Sequence, residues 1–509
     1  MGKRPGRNIA LSLLLTAGVA ACGGDDDGAS NEGGTSSGAG GAGGITIAIG
    51  SEPTTLDPQL RDDGGERAVN DNVYEALLGR DAEGELVPVL AAELPVQIDD
   101  TTWEVTLREG VEFHNGEPFD AAAVVASFER ILDPSLQSEQ ETFYDGIASV
   151  EAVDPTTVRF LTDGAQPVLP SKLYWLKIVP PAHSAETGFD SEPIGTGPYK
   201  FVEWRRGQDV VLEVNDAYWG EAPSIDQVTF RFVDEAGTRL SGLLSDEFDI
   251  VTNLPPEDVE RAPQSAHVVG LEHPMIILNS MEGITADVKV RQALNYAVDK
   301  EAIAEELYGG FARVDDCQYM SPAWFGYNPD LEAYPYDPDK ARDLLEEAGV
   351  VGETIEFTSE SGRWLKDREL TEAVANFWTE VGLEVKVEFY EFDEYLNRLY
   401  DEEVRPQAVF ISTSNELFDG SRVASYSYMP SGVTGSNDDP EMERLGSEAA
   451  VETDVATRET LYHDMLERGC DQAYHTYLVN IEDTYGLSER VEWQPRVDSK
   501  LIVAEMKLS

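Results

Sequence analysis

The first half of the chain mixes short strand patterns with short helical ones. Strands are predicted where hydrophobic and polar side chains alternate, at residues 45–50, 103–108, 157–161, 209–214 and 227–232. Residues 68–78 and 121–132 instead carry apolar side chains at helical spacing, and Asp120 stands at the N-cap position of the second helix. The irregular order of these elements predicts a mixed α/β region.

Strands and helices alternate more regularly in the second half. Residues 290–310 predict one long helix that stops at a Gly-Gly pair. Further helices are predicted at 337–349, 368–381 and 394–400, and strands at 354–358, 383–390 and 407–412. This alternation is typical of an α/β lobe.

The N-terminal segment predicts export and lipid attachment. Residues 1–7 carry three basic side chains and no acidic one, and residues 9–21 are apolar but too few to cross a bilayer. The small residues before Cys22 resemble the bacterial lipobox. We therefore predict a lipoprotein signal peptide at 1–21, lipidation of Cys22, and a flexible Gly/Ser/acid tether at 22–44. The expected location is extracytoplasmic, on the outer face of the cell membrane or in the periplasm.

Length and charge restrict the class of protein. The 509 residues exceed one average domain, which predicts at least two lobes. With 97 acidic against 37 basic residues, the net charge of −60 repels nucleic acid and anionic headgroups. Neither is expected as a partner, and the membrane is contacted only through the lipid. The charge could attract a cationic solute, or reflect adaptation to salt or simple solubility. The acids are spread along the chain, which fits a solvated surface better than a binding patch.

The remaining cysteines and the histidines give little sign of chemistry. Cys317 and Cys470 either form a disulfide in an oxidising compartment or stay as two separate buried thiols. Outside the Gly/Ser tract at 22–44 the chain has no GxSxG motif, it has no phosphate-binding P-loop, and its six histidines lack the spacing of zinc ligands. We therefore predict a protein that is not an enzyme, with no catalytic residue, no metal site and no cofactor.

Arginine and aromatic side chains in glycine-containing loops are better candidates for binding. Arg363 can grip a carboxylate through two parallel hydrogen bonds, and Trp364 and Tyr428 offer flat walls to a pocket. The alternative interpretation is that these aromatic rings fix their loops to the core.

Seven segments, taken in order, resemble the bacterial extracellular solute-binding family that serves oligopeptide, dipeptide and nickel-complex importers (solute-binding protein family 5). They are PTTLDP (53–58), VYEALL (73–78), LVPVLAA (86–92), WEVTLREGVEFHNG (103–116), PIGTGPY (193–199), NDAYW (215–219) and VRQALNYAVD (290–299). We expect these segments to define the fold and not to contact a ligand.

The resemblance implies a two-lobed α/β clamshell, the type II periplasmic-binding-protein fold of the peptide-binding class, with an enlarged first lobe. Lobe I is expected at 45–275, lobe II at 276–483 and a C-terminal return to lobe I at 484–509. The implied function is capture of a solute between the lobes and delivery to an ABC permease with its ATPase subunits. A monomer is expected, because closure needs free lobes.

The resemblance also implies ligand residues. Peptide-binding members use a loop that here reads Arg61, Asp62, Asp63 and Gly64, and some members use an arginine at the place of Arg363. Where peptide binders often place an aspartate for the α-ammonium, this chain has Asn415, which brings no charge. Glu416 and Asp419 in the same loop are the expected substitutes.

Three interpretations of the cargo and the activity stay open at this stage. The first is a receptor for a short peptide or a similar amino-bearing solute. The second is the same receptor fold for an oligosaccharide, a metal chelate or an opine-like compound. The third is a lipid-anchored hydrolase, which would need a nucleophile motif that the sequence lacks.

Overall fold

The largest sheet brings together strands from the two ends of the chain. The computed structural model describes residues 43–401 and 404–509, and Cys22, the signal peptide and most of the predicted tether lie outside them. Among these residues the large sheet has eight strands. In spatial order seven of them are Gln264–Val269, Val479–Leu487, Ile250–Thr252, Gly44–Ile49, Gln227–Phe232, Asp209–Val214 and Tyr199–Arg205, and Ala312–Val314 pairs with Val479–Leu487.

A second sheet lies in the half of the chain where regular alternation is predicted. Within the described part it has five strands, in the order Glu384–Phe389, Thr354–Ser359, Ala408–Thr413, His273–Leu278 and His475–Tyr477. The chain passes from the large sheet to this sheet between Val269 and His273, and returns between Tyr477 and Val479. We call the part built on the large sheet lobe I and the part built on the five-stranded sheet lobe II.

Lobe I also contains a separate antiparallel sheet and two small hairpin-like pairs. The antiparallel sheet orders Val96–Asp99, Thr102–Thr106, Thr157–Thr162 and Ile147–Asp154. The small pairs join Leu78–Arg80 to Leu86–Pro88, and Val491–Glu492 to Lys507–Leu508. Each of the larger sheets has its own buried apolar core.

Helices cover these sheets. The α-helices of the described part are Gly64–Val73, Ala121–Ile131, Leu169–Trp175, Ala236–Leu244, Pro256–Val259, Val288–Tyr296, Lys300–Ala302, Pro338–Ala348, Asp367–Glu380, Phe392–Tyr400, Gly420–Val423, Pro440–Ala449 and Val455–Gln472. Two π-helical turns, Ile303–Leu307 and Ala424–Tyr428, follow short α-helices. Asp120 accepts backbone hydrogen bonds from Ala122 and Ala123, which confirms the predicted N-cap.

The predicted long helix at 290–310 is wrong in its length. The helix ends at Tyr296, and a new one begins at Lys300 with Asp299 as its N-cap. The buried ammonium of Lys300 donates to the carbonyl oxygens of Asn295 and Tyr334, 3.1 Å from each. The bond to Asn295 uses a carbonyl group of the last helical turn, which a continued helix would pair with the N–H of Asp299. Apolar periodicity persists across the break, so the sequence pattern alone does not reveal it.

The predicted helix at 68–78 is shifted. Asp63 caps a helix that starts at Gly64 and ends at Val73, and the chain is extended again at Leu78. The backbone N–H of Gly197 donates to the carbonyl of Val73, and a Cβ on Gly195 would lie 2.0 Å from that oxygen. The GTG segment therefore packs against this helix end, as a fold-defining motif should.

Candidate functional site

A polar cavity of about 640 Å³ lies where the two lobes meet. Its lobe I wall includes Ser51, the loop at residues 62–64, Arg67 and Asn253, and its lobe II wall includes Arg363, Ser414 and Glu416. The segment that joins strands Gln264–Val269 and His273–Leu278 adds Leu271 and Glu272, and strand Val479–Leu487 of lobe I adds Asp483. A smaller cavity of about 350 Å³ shares Asp62, Asp63, Arg67, Arg363 and Glu416 with it. Together they form one interlobe cleft, with room for a small solute.

The structure brings the predicted loop at residues 61–64 to this cleft. Asp63 accepts a hydrogen bond from the N–H of Gly64 and forms an ion pair with Arg61 at 3.2 Å. The preceding residue, Asp62, forms an ion pair with Arg67, whose Nε lies 3.5 Å from Asp62 Oδ2. The loop thus presents backbone and charged groups together at the start of a helix.

Arg363 reaches the cleft from lobe II. Asp367 accepts hydrogen bonds from the backbone N–H groups of residues 362–364, which shapes the loop before the helix Asp367–Glu380. The guanidinium carbon of Arg363 lies 4.5 Å from the ring centre of Phe392, and the side chain is exposed. It is therefore free to bind an anionic group of a solute. Its neighbour Trp364 does not line the cleft but packs on Tyr395 in lobe II.

The loop after strand Ala408–Thr413 contributes Ser414 and Glu416 to the cleft, but neither Asn415 nor Asp419. Glu416 lines both cavities, and its Oε1 accepts a hydrogen bond from Ser414. Asn415 is buried, and its amide donates to the carbonyl of Asp419. Both terminal nitrogens of Arg458 donate to the carboxylate of Asp419, at 2.6 and 2.8 Å. Of the two substitutes predicted for an ammonium partner, only Glu416 therefore reaches the cleft.

Tyr428 is not brought to the cleft either. Its ring stacks on Tyr319 with centroids 5.1 Å apart, and its hydroxyl lies 3.3 Å from that of Tyr477. Burial raises the pKa of this hydroxyl well above the ordinary value of tyrosine. The side chain belongs to the core of lobe II, as the alternative interpretation of the aromatic loops expects.

Sequence reasoning missed two carboxylates of the cleft. Glu272 lies on the segment between strands Gln264–Val269 and His273–Leu278, and Asp483 lies in strand Val479–Leu487, shortly after the chain returns to lobe I. Burial raises the pKa of both, and the neighbouring carboxylates Glu416 and Asp483 raise that of Glu272 further. In a chain with 97 acidic residues no sequence signal distinguishes these two.

Lobe II also contains a disulfide between Cys317 and Cys470. Their Cα atoms are 5.5 Å apart and 153 positions apart in sequence. Two further observations concern the described residues only. No group of three or more histidine, cysteine or acidic side chains there is arranged to hold a metal ion, and no helix is long and apolar enough to cross a membrane.

Similar proteins of known structure share this architecture. NikA from Brucella suis, solved with Fe(III)-EDTA, superposes with a TM-score of 0.83 at 25% identity, covering 92% of this chain and 100% of NikA. DppA from Helicobacter pylori, solved with the peptide STSA, gives a TM-score of 0.73 at 24% identity, covering 92% of this chain and 98% of DppA. These likenesses confirm the predicted two-lobed α/β clamshell.

Sequence comparison places the chain in a family. The glutathione-binding protein GsiB of Escherichia coli K12 is 33% identical over 324 residues, which are 60% of this chain and 61% of GsiB. The chain thus matches less than two thirds of the length of this curated relative. The family model for the middle region of the bacterial extracellular solute-binding proteins of family 5 matches residues 85–438. The chain therefore belongs to the bacterial extracellular solute-binding proteins, family 5.

Proposed function

We propose that this protein is the solute-binding receptor of an ABC importer, which captures a small solute between its lobes and presents it to a membrane permease. The observation that carries the proposal is the cleft of about 640 Å³, lined by polar groups of both lobes and of a segment that joins them. A solute bound there contacts both lobes at once, so its binding energy favours the closed form. Binding, and not catalysis, is the proposed activity.

The proposed cargo is a short peptide or a similar solute with amino and carboxyl groups. Arg363 supplies an unpaired guanidinium for a carboxylate, and Glu416 supplies a carboxylate for an ammonium. The loop at residues 61–64 adds backbone groups. Asn415, Trp364, Asp419 and Tyr428 are proposed to support these groups from behind, because their polar atoms or rings already contact lobe II.

A non-peptide cargo is the second candidate. The buried amide of Asn415 stands where peptide binders often place an ammonium-binding aspartate, which favours a solute without a peptide N-terminus. An oligosaccharide, a metal chelate or an opine-like compound would fit the same polar cleft.

The setting of the receptor is proposed from the sequence. Signal cleavage after residue 21 and lipidation of Cys22 would tether the folded body, and the permease and its ATPase subunits would be the partners. The receptor is proposed to be a monomer, with lobe boundaries near residues 275 and 483.

Native mass spectrometry of the protein purified without refolding tests the receptor proposal. We expect an added mass that fragments as a peptide or as one small solute, and solution scattering that shows compaction when that solute is returned to stripped protein. A solute that binds without compaction would refute capture between the lobes. Replacing Arg363 by alanine should weaken a carboxylate-bearing solute about 10-fold or more, because charge-assisted hydrogen bonds contribute roughly 1.5–3 kcal/mol.

A further inference from the structure

We infer that the solute carries an organic cation, an ammonium or a guanidinium, which is bound by Glu272, Glu416 and Asp483 where the lobes join. This acidic triad lines the interlobe cavity together with Arg363. The inference rests on the proposed function, because it specifies the charge of the solute that the cleft would hold.

Each member of the triad has a serine hydroxyl as its side-chain partner. Each of these hydrogen bonds has a donor–acceptor distance of 2.5 Å. The pairs are Ser412 to Glu272 Oε2, Ser414 to Glu416 Oε1 and Ser499 to Asp483 Oδ2. Within the described ranges no lysine or arginine nitrogen lies within 4.0 Å of the three carboxylates. A hydroxyl brings one proton and no charge, so each carboxylate keeps free acceptor sites and has no cationic partner.

Many buried carboxylates of this molecule have a cation as partner. Examples are Asp57 with Arg130, Asp71 with Lys177, Asp419 with Arg458 and Asp498 with Arg496. Others have two or more neutral donors instead, as Glu75 has Tyr218 and Trp219. Such pairing offsets the cost of removing a carboxylate from water. Among the described residues, each triad carboxylate has neither a cation within 4.0 Å nor more than its one serine donor, so a cation that arrives with a ligand would supply the missing partner.

One carboxylate oxygen of the triad lacks a hydrogen-bond donor among the described residues. Glu416 Oε2 is inaccessible to water and has no hydrogen-bond partner, although the residue lines both cavities of the cleft. An ammonium offers three donors and a guanidinium five, enough to satisfy this oxygen and the neighbouring carboxylates together.

The cations already in the cavity are committed elsewhere. Arg67 pairs with Asp62, and Arg239 donates to four backbone carbonyl groups, at residues 233, 234, 252 and 253. Arg363 lies over Phe392 and is free for an anionic group. Six carboxylates and three guanidinium groups therefore line the 640 Å³ cavity, and of the three guanidinium groups only that of Arg363 has no such partner in the described structure. A metal ion is a poor alternative, since no metal-holding group is found in the described part.

The test combines a panel of solutes with two charge-neutralising variants. Calorimetry would compare Lys-Ala-Ala, Ala-Ala-Ala, N-acetyl-Ala-Ala-Ala and spermidine on the purified protein, stripped of any solute that native mass spectrometry detects. We expect the cationic probes, or a cationic co-purified solute, to bind at least 10-fold more tightly than the acetylated peptide. Glu272→Gln and Asp483→Asn should each weaken the cationic solute about 10- to 100-fold. Glu260→Gln, the same charge change at an exposed site outside the cleft, should not.

Stability of the solute-free protein separates a ligand-binding role from a structural one. Because burial opposes the charge of Glu272 and Asp483, we expect both neutral variants to unfold at a higher temperature than the parent when empty. A lower unfolding temperature in both variants would mean that the carboxylates hold the fold, and would overturn the inference. Equal affinity for cationic and neutral solutes would overturn it while leaving the receptor function intact. Failure of every probe, with no solute co-purified, would overturn the inference and leave the non-peptide cargo as the candidate for the receptor function.

Discussion

The disulfide of lobe II offers a prediction whose size follows from the chain topology. Cys317 lies shortly after strand Ala312–Val314, and Cys470 lies near the end of helix Val455–Gln472. The bond therefore ties that helix to the segment near the crossing between lobes. Cutting it changes few native contacts but frees a loop of 153 positions in the unfolded chain.

The expected loss of stability comes from that loop. The chain-entropy relation gives about 17 cal/mol/K for such a loop, or about 5 kcal/mol at 25 °C. The entropy of unfolding is roughly 2.1 cal/mol/K per residue near the midpoint. If lobe II, roughly 200 residues, unfolds as one unit, the midpoint should fall by about 12 °C. If the whole folded body of roughly 470 residues unfolds together, the fall should be about 5 °C.

Scanning calorimetry of the oxidised protein, the reduced protein and a Cys317→Ala/Cys470→Ala double variant measures this shift. Reduction leaves the packing of both side chains in place, so it isolates the cross-link, and the double variant shows the added cost of lost packing. Mass analysis under non-reducing conditions verifies the bond in the starting sample. Midpoints of oxidised and reduced protein within 1 °C of each other would refute the entropic reasoning.

Three further predictions concern buried polar groups. Arg80 of lobe I contacts lobe II, since it donates to the carbonyl of Leu417 at 2.9 Å and lies 4.1 Å from the ring centre of Phe418. Arg80→Lys should therefore weaken solute binding, measured by calorimetry, about 10-fold. Unchanged affinity would show that this contact does not favour closure. Asp57→Asn breaks the buried pair with Arg130 and should cost about 3–5 kcal/mol in urea unfolding, and a loss below 1 kcal/mol would contradict that. Burial lowers the pKa of His475 to about 3, so the unfolded chain takes up a proton below pH 6.5 that the folded chain refuses. His475 should thus contribute a loss of stability of about 1.4 kcal/mol per pH unit from pH 6.5 downward, which His475→Leu should remove from the pH profile of unfolding; an unaltered profile would argue against a buried neutral imidazole.

Local patterns in the sequence were sufficient for much of the fold. The strands Asp209–Val214 and Gln227–Phe232 begin and end where the alternation predicts, because each has one buried and one solvated face. Asp120 is the N-cap it was predicted to be, since capping depends on a side chain and the next two or three N–H groups. The break after Tyr296 was missed because the buried Lys300 of the following turn donates to the carbonyl of Asn295, a contact that the apolar pattern does not show.

Some residues of the candidate site could likewise be located from the sequence, and others could not. The loop at residues 61–64 and Arg363 could be located from the sequence, because both adjoin helix starts within recognisable segments. Asp419 and Tyr428 fit the same reasoning, but partners distant in sequence, Arg458 and Tyr477, occupy their polar groups inside lobe II.

Glu272 and Asp483 depended on tertiary structure alone. They are more than 200 positions apart and become neighbours because two strands of opposite direction carry the chain between the sheets. The sequence by itself determined the elements, the two-lobed organisation and the excess of negative charge. Only the tertiary structure decided which carboxylates lose water without gaining a cation. Desolvation and ion pairing depend on groups that folding brings together from distant parts of the chain.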